Sequence, residues 1–140
     1  MSLFTRLIQG AAQTLTIDGV AAAGVAAGSA LLMSEVEPGT LSAKFVVDAE
    51  TDTITLSAIW QVSDDNSTWV RFKSADNVTP TVLATGTGGA DAAVTVAVPA
   101  PQGVYGWRYV RAGVLVGVTT GAAADTATVA YRYAKPAFDE

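Results

Sequence analysis

From Ile54 to Val62 every second residue is apolar (Ile54, Leu56, Ala58, Trp60, Val62), and most of the interleaved residues, such as Thr55, Ser57 and Gln61, are polar. Alternation with period two marks a strand with one face on a core and the other in water. Five turn formers follow, Ser63-Asp64-Asp65-Asn66-Ser67, whose short side chains bond their own backbone. A second run then begins, with Val70 and Phe72 on one face and Trp69, Arg71 and Lys73 on the other. The stretch predicts a β-hairpin, and it sets the class of the whole chain.

Other segments repeat the pattern. Thr14–Val20, Leu41–Asp48, Ala93–Val98 and Thr126–Tyr133 alternate, Val46 being an exception within its run. Val104–Val118 reads as one bent strand or two, with Tyr105, Trp107 and Tyr109 on one face and Val104, Arg108 and Val110 on the other. Val78–Thr85 is a weaker strand whose Pro80 suggests a sheet edge, because proline cannot donate to a ladder. Gly24–Met33 supplies a further candidate strand. Glu37-Pro38-Gly39, Ala49–Asp52, Gly86–Asp91, Pro99–Gly103 and Thr119–Asp125 punctuate the runs, and Lys135-Pro136 closes the last one before a polar tail. The pattern predicts an all-β protein, an antiparallel β-sandwich or jelly roll of roughly seven to nine strands. Residues 14–140 form its single domain, and residues 1–13 form an N-terminal arm or a short helix. Leu3, Phe4, Leu7 and Ile8 fall at helical spacing there and are too apolar for a free tail, so a partner surface is expected for them.

The 140 residues amount to one domain. Half are hydrophobic, mostly Ala and Val, and only 15% are charged, which leaves a weakly charged surface suited to packing against protein. Net charge is −5, and the eight basic residues are scattered apart from Arg71/Lys73 and Arg108/Arg111. Without a basic stripe, nucleic acid is not expected as a direct partner. Cysteine and histidine are absent, which removes disulfides, thiolate nucleophiles, Cys/His zinc sites and histidine-based triads. No catalytic set, metal or cofactor is expected, and the missing disulfides favour assembly in a reducing cytoplasm. The apolar run Val20–Met33 is too short to cross a bilayer, contains Gly24 and Gly28, and follows Asp18; it reads as a buried glycine-rich strand and loop, with no membrane partner. The glycines of Gly86–Asp91 lack the Gly-Lys-Ser/Thr that a phosphate loop requires.

Asp64 and Asp65 are adjacent carboxylates. Glycosidase chemistry needs two carboxylates across a cleft, and calcium needs further oxygen ligands. A solvated turn capped by Asp and Asn side chains is the expectation. Trp60 and Trp107 lie in alternating runs and are expected in the core. Trp69 shares a face with Arg71 and Lys73, which fits either an interface anchor or an aromatic ring lying under a basic stem.

Two stretches in this order, Ser63-Asp64-Asp65-Asn66-Ser67-Thr68-Trp69 and Trp107-Arg108-Tyr109-Val110-Arg111 with a closing Lys135-Pro136, resemble small structural proteins of tailed-bacteriophage heads. Those proteins carry a Ser-x-Asp-Gly-Ser-Thr-aromatic hairpin, an Arg-Tyr-Val-Arg strand and a terminal basic residue and proline. The match spans about Leu41 to Pro136; Asn66 stands where glycine is usual, and the Gly/Ala-rich segment before Glu35 has no counterpart. The resemblance implies a non-enzymatic capsid decoration, or cement, protein, assembled in the host cytoplasm onto the exterior of the virion. Its partners would be the major capsid protein and itself, as a trimer or dimer. Candidate contact residues are Trp69, Arg71 and Lys73, with Leu3, Phe4, Leu7 and Ile8 of the arm. The alternative is a carbohydrate-binding or adhesion module of a virion tail or cell surface.

Overall fold

The structure, a computed structural model, describes residues 2–16, 25–49, 53–72, 81–87, 92–120 and 126–139. Among the described residues eleven strand segments follow one another: β1 (Ser2–Gln9), β2 (Gln13–Thr16), β3 (Val25–Ala27), β4 (Leu31–Leu32), β5 (Ser42–Ala49), β6 (Thr53–Ser63), β7 (Val70–Arg71), β8 (Thr81–Thr87), β9 (Ala92–Pro99), β10 (Tyr109–Thr120) and β11 (Thr126–Asp139). The helical turns among the described residues are two short 3-10 pieces, Met33–Glu35 and Gln102–Gly106.

All pairings are antiparallel and form two sheets. The first runs β1-β11-β5-β9, with β2 beside β1 along the same edge of β11. The second runs β3-β10-β6-β7, with β4 continuing β3 along β10 and β8 continuing β7 along β6. The eleven segments therefore occupy eight ladder positions, and from one position to the next the chain crosses between sheets every time except from β6 to β7, as in a jelly roll.

Period-two alternation decides what lies between the sheets. Leu41, Ala43, Phe45 and Val47 face Leu56, Ala58, Trp60 and Val62, joined by Val110, Ala112 and Val114 of β10 and Ala127, Val129 and Tyr131 of β11. All are buried, Phe45, Val47, Leu56 and Val110 completely. Trp60 is 5% exposed and packs its ring 6.5 Å from that of Tyr131, so its predicted place in the core holds.

Several expectations change. Ser2–Gln9 is neither helix nor loose arm: it is a strand paired with β11 from Ser2↔Asp139 to Gln9↔Arg132. The last strand does not stop at Lys135-Pro136 but runs to Asp139, because β1 continues to pair with it. Residues 131 and 134 alternate toward and away from that edge, since the Tyr131 carbonyl accepts from Gly10 N–H and Ala134 N–H donates to Thr40. Pro136, in phase with Ala134, therefore turns its nitrogen away from β1 and removes no ladder bond. The stretch Val104–Val118, expected as one bent strand or two, is a turn and one strand: Val104 and Tyr105 sit in a 3-10 turn, and β10 begins at Tyr109. Val104 nevertheless seals one end of the core at 0% exposure. Residues 17–24, which hold the end of the expected strand Thr14–Val20 and the start of the apolar run Val20–Met33, lie outside the described residues.

One polar contact spans the core. Along the outer edge of β10, β4 covers Tyr109 and Val110 and β3 covers Gly113 to Leu115, so Ala112 between them has no strand partner on that side. The hydroxyl of Tyr131, arriving from the opposite sheet, accepts from Ala112 N–H at 2.8 Å and donates to the Ser29 carbonyl at 2.8 Å. Gly28 donates to the Ala112 carbonyl at 2.9 Å, and a Cβ there would come within 3.0 Å of the Tyr131 hydroxyl and 2.9 Å of Val129 Cγ1. Burial pushes the Tyr131 phenol up from 10.0 to about 12.

Three outcomes are expected. Trp60→Ala should cost ~3–5 kcal/mol in a denaturant titration, the range for a large aromatic removed from a packed core. Tyr131→Phe should cost ~1–3 kcal/mol, because it strands the buried Ala112 N–H and the Ser29 carbonyl. The raised phenol favours the folded state in full below about pH 10, and this is lost as pH rises through about 12; an alkaline absorbance titration should show Tyr131 ionising only as the protein unfolds.

Candidate functional site

The turn of the central hairpin is built on one carboxylate. Oδ1 of Asp65 accepts from the Ser67 N–H at 2.9 Å, the Thr68 N–H at 2.7 Å and the Ser63 hydroxyl at 2.9 Å. Ser63 Oγ in turn accepts from Asp65 N–H at 3.3 Å. Asn66 takes the left-handed conformation the turn requires, with φ 58°, which Asn tolerates better than most residues. The backbone donors of Thr68 and Ser67, then the Ser63 hydroxyl, lower the Asp65 carboxyl from 3.8 to about 2. Asp65 is thus a structural cap, as expected from its neighbours, and both it and Asp64 are exposed.

The closed turn delivers Trp69 to the outer face of the second sheet, where Arg111 meets it. The guanidinium carbon of Arg111 lies 4.2 Å from the centroid of the Trp69 ring. Nε of the same side chain donates to Gln61 Oε1 at 2.7 Å. In the ladder Gln61 stands between Arg111 on β10 and Arg71 on β7, so the three form one row across the face. Gln61 is 8% exposed although it points outward, and Ile59, one outward position along, is 4% exposed. Burial lowers the Arg111 pKa below its ordinary value. The ion pair among the described residues is Lys135 with Glu35 at 3.5 Å, so neither Arg71 nor Arg111 has a carboxylate partner there.

Of the residues selected from the sequence, Trp69 lies against Arg111, and Arg71 stands across Gln61 from Arg111 in the ladder; Arg111 and Gln61 themselves were not selected. The signal for Arg111 was its place in the Trp107–Arg111 stretch, but its pairing with Gln61, 50 residues away, is set by strand order. Lys73 lies outside the described residues. Leu3, Phe4, Leu7 and Ile8 belong to β1, far along the sequence from the hairpin, opposite Phe138, Ala137, Ala134 and Tyr133 of β11. Leu7 is 54% exposed and Ile8 half-buried. Of the hairpin's apolar residues, Phe72 packs on the core but Val70 is 57% exposed at the sheet edge. Trp107, expected in the core, is only half-buried, because it follows the 3-10 turn instead of lying in a strand. With Tyr105, Asp64 and Arg108 it lines a concavity of about 500 Å³ at one end of the sandwich.

No family model matches the sequence, and no curated protein is similar to it. Solved structures with a similar course include one titled as the structure of infectious bursal disease virus, Gx strain, at 12% identity and a TM-score of 0.45, over 96% of this chain and 35% of that one. Another is the N-terminal cellulose-binding domain of Cellulomonas fimi β-1,4-glucanase C, at 15% identity and a TM-score of 0.36, over 92% of this chain and 89% of that one. The chain spans about a third of the viral chain. At these identities and scores the two likenesses carry no functional argument.

Because the Asp65 carboxyl is lowered from 3.8 to about 2, its support of the turn is complete above about pH 4 and lost as pH falls through about 2. Carboxyl NMR should show Asp65 titrating near 2, and in Asp65→Ala the Ser67 and Thr68 amides should exchange faster. A midpoint near 3.8 would mean the turn is open in solution.

Proposed function

We propose that the chain is a non-enzymatic structural protein of a virion that binds the outer surface of a capsid where major capsid protein subunits meet, and so reinforces the shell. The observation that carries this reading is the contact of Trp69 with Arg111. The two stretches that resemble phage head proteins are 38 residues apart at their nearest, yet the fold stacks the last residue of one on the last residue of the other. Tyr109 pairs with Ser63, so the strand of one stretch also runs beside the base of the other's turn. The product is a Trp69–Arg111 pair held by Gln61, with Arg71 on the far side of Gln61 in the same row. Tryptophan and arginine are the residues that most often anchor protein interfaces, and a patch ordered before binding loses little entropy on association. Its cations complement carboxylates on a shell surface, and a ligand of the assembled shell alone shifts the equilibrium toward assembly by mass action. Self-association into a dimer or trimer would multiply the contacts per bound unit.

A carbohydrate-binding module is the second reading, and the concavity between Trp107, Tyr105 and Asp64 favours it, since sugars stack on aromatic faces beside polar groups. Arg111 already occupies a face of Trp69, so a sugar site would depend on Trp107.

Particles stripped of this protein should release DNA at lower temperature than complete particles. Purified protein added back should restore resistance, and the Trp69→Ala, Arg71→Ala double variant should restore it poorly while melting like the parent. Equal heat resistance with and without the protein would overturn the proposal, and glycan binding lost in Trp107→Ala would replace it with the sugar-binding reading.

A further inference from the structure

The outer face of the first sheet, on the opposite side of the sandwich from Trp69, holds a second patch. A concavity of about 460 Å³ opens there. Val46, Ala97, Thr128 and Ala130 form its floor, and Gln9 and Gly10, at the corner where β1 turns toward β2, form a wall. Gly10 is held on the sheet by its N–H, which donates to the Tyr131 carbonyl at 2.8 Å. Two exposed cations, Lys44 and Arg132, also line it. Neither pairs with a carboxylate among the described residues, although the chain carries a net charge of −5.

The spacing of these cations is informative. Lys44 stands opposite Ala130, and Arg132 stands opposite Ser42, so the two lie two positions apart along the ladder on neighbouring strands. Two positions along a strand amount to roughly 7 Å, and diagonal neighbours of this kind are roughly 7–8 Å apart. An extended peptide presents its side chains i and i+2 on one side at that same distance, roughly 7 Å. The floor residues are small, so a peptide backbone can approach the sheet closely. An aromatic platform for a sugar ring is missing, because the one ring among the lining residues, Tyr131, points into the core and spends its hydroxyl on Ala112 and Ser29.

We propose that this face binds an extended, acidic segment of a partner protein, with carboxylates at alternate positions (Glu-x-Glu) meeting Lys44 and Arg132. Thr128, Ser42 and Gln9 supply hydrogen-bonding groups beside the two ion pairs. The site does not depend on the Trp69 face: with both occupied, one molecule would bridge two surfaces across the thickness of the sandwich.

The test uses the full chain and a blocked peptide, acetyl-Ser-Glu-Ser-Glu-Ser-amide, followed by NMR, with the corresponding Gln-for-Glu peptide and an oligogalacturonate as comparison probes. The expected result is salt-sensitive binding of the Glu peptide, with shifts at Lys44, Ala97, Thr128 and Arg132 and none at Trp69 or Arg71. Affinity should fall ~10-fold or more in Lys44→Gln, Arg132→Gln, as for loss of close charge pairs. The Gln peptide should bind at least ~10-fold more weakly for the same reason. Both substitutions are at exposed positions, and an unchanged melting temperature confirms that the variant is folded. No binding of the Glu peptide, equal binding by the double variant, shifts confined to the Trp69 face, or binding of the uronate without the peptide would each overturn the proposal. Any of these results would leave the Trp69 reading standing, and failure of the Trp69 variant on particles would leave this one standing.

Discussion

The hydroxyl of Tyr131 is the point on which the two sheets are registered. Apolar contact between the layers is strong but has no direction, so Phe45, Val62, Val114 and Val129 could fill the same volume with the sheets slightly slipped. The gap between β3 and β4 removes that freedom. It leaves the Ala112 N–H buried beside a broken edge, and a buried backbone donor must be paired. The donor's partner comes from the other layer, and the same hydroxyl donates to the carbonyl of Ser29, which lies in the gap itself. Glycine at 28 is part of the arrangement, because any side chain there would occupy the space of the phenol. Trp60, packed beside Tyr131, contributes area but not direction: its buried Nε1 has no hydrogen-bond partner.

With the layers fixed, the two outer faces are free to differ. The outer face of the second sheet is partly closed: the Asp65-centred turn brings Trp69 to Arg111, and Gln61 and Ile59 are buried although they point away from the core. The outer face of the first sheet is open, floored with small residues and bounded by Lys44 and Arg132. Both patches are cationic on an acidic chain.

Much of the fold was legible because alternation is local. Ile54–Val62 and Leu41–Asp48 each announced a strand and its buried face, and the run of turn formers announced the hairpin. Even Val46, the misfit in its run, obeys the rule, since its position points outward and leaves it 40% exposed on the groove floor. The errors occurred where local pattern and partner disagree. Leu3, Phe4, Leu7 and Ile8 match a helical spacing, but backbone hydrogen bonds to β11 make them a strand, and Pro136 continues that strand because its nitrogen faces the open side. Val104 to Trp107 alternate by residue type, yet a 3-10 turn sets their directions.

By itself the sequence determined the all-β class, the central hairpin, the identity of most core residues and the lack of histidine and cysteine chemistry, because each follows from residue type and short-range period. The tertiary structure alone decided which strands are neighbours. Arg111 meets Trp69 and Gln61, Lys44 lies diagonal to Arg132, and Tyr131 reaches Ala112 only after segments distant in the chain are laid side by side. Strand order and register are properties of the closed sandwich, and no stretch of sequence short enough to show a period contains both partners of any of these pairs.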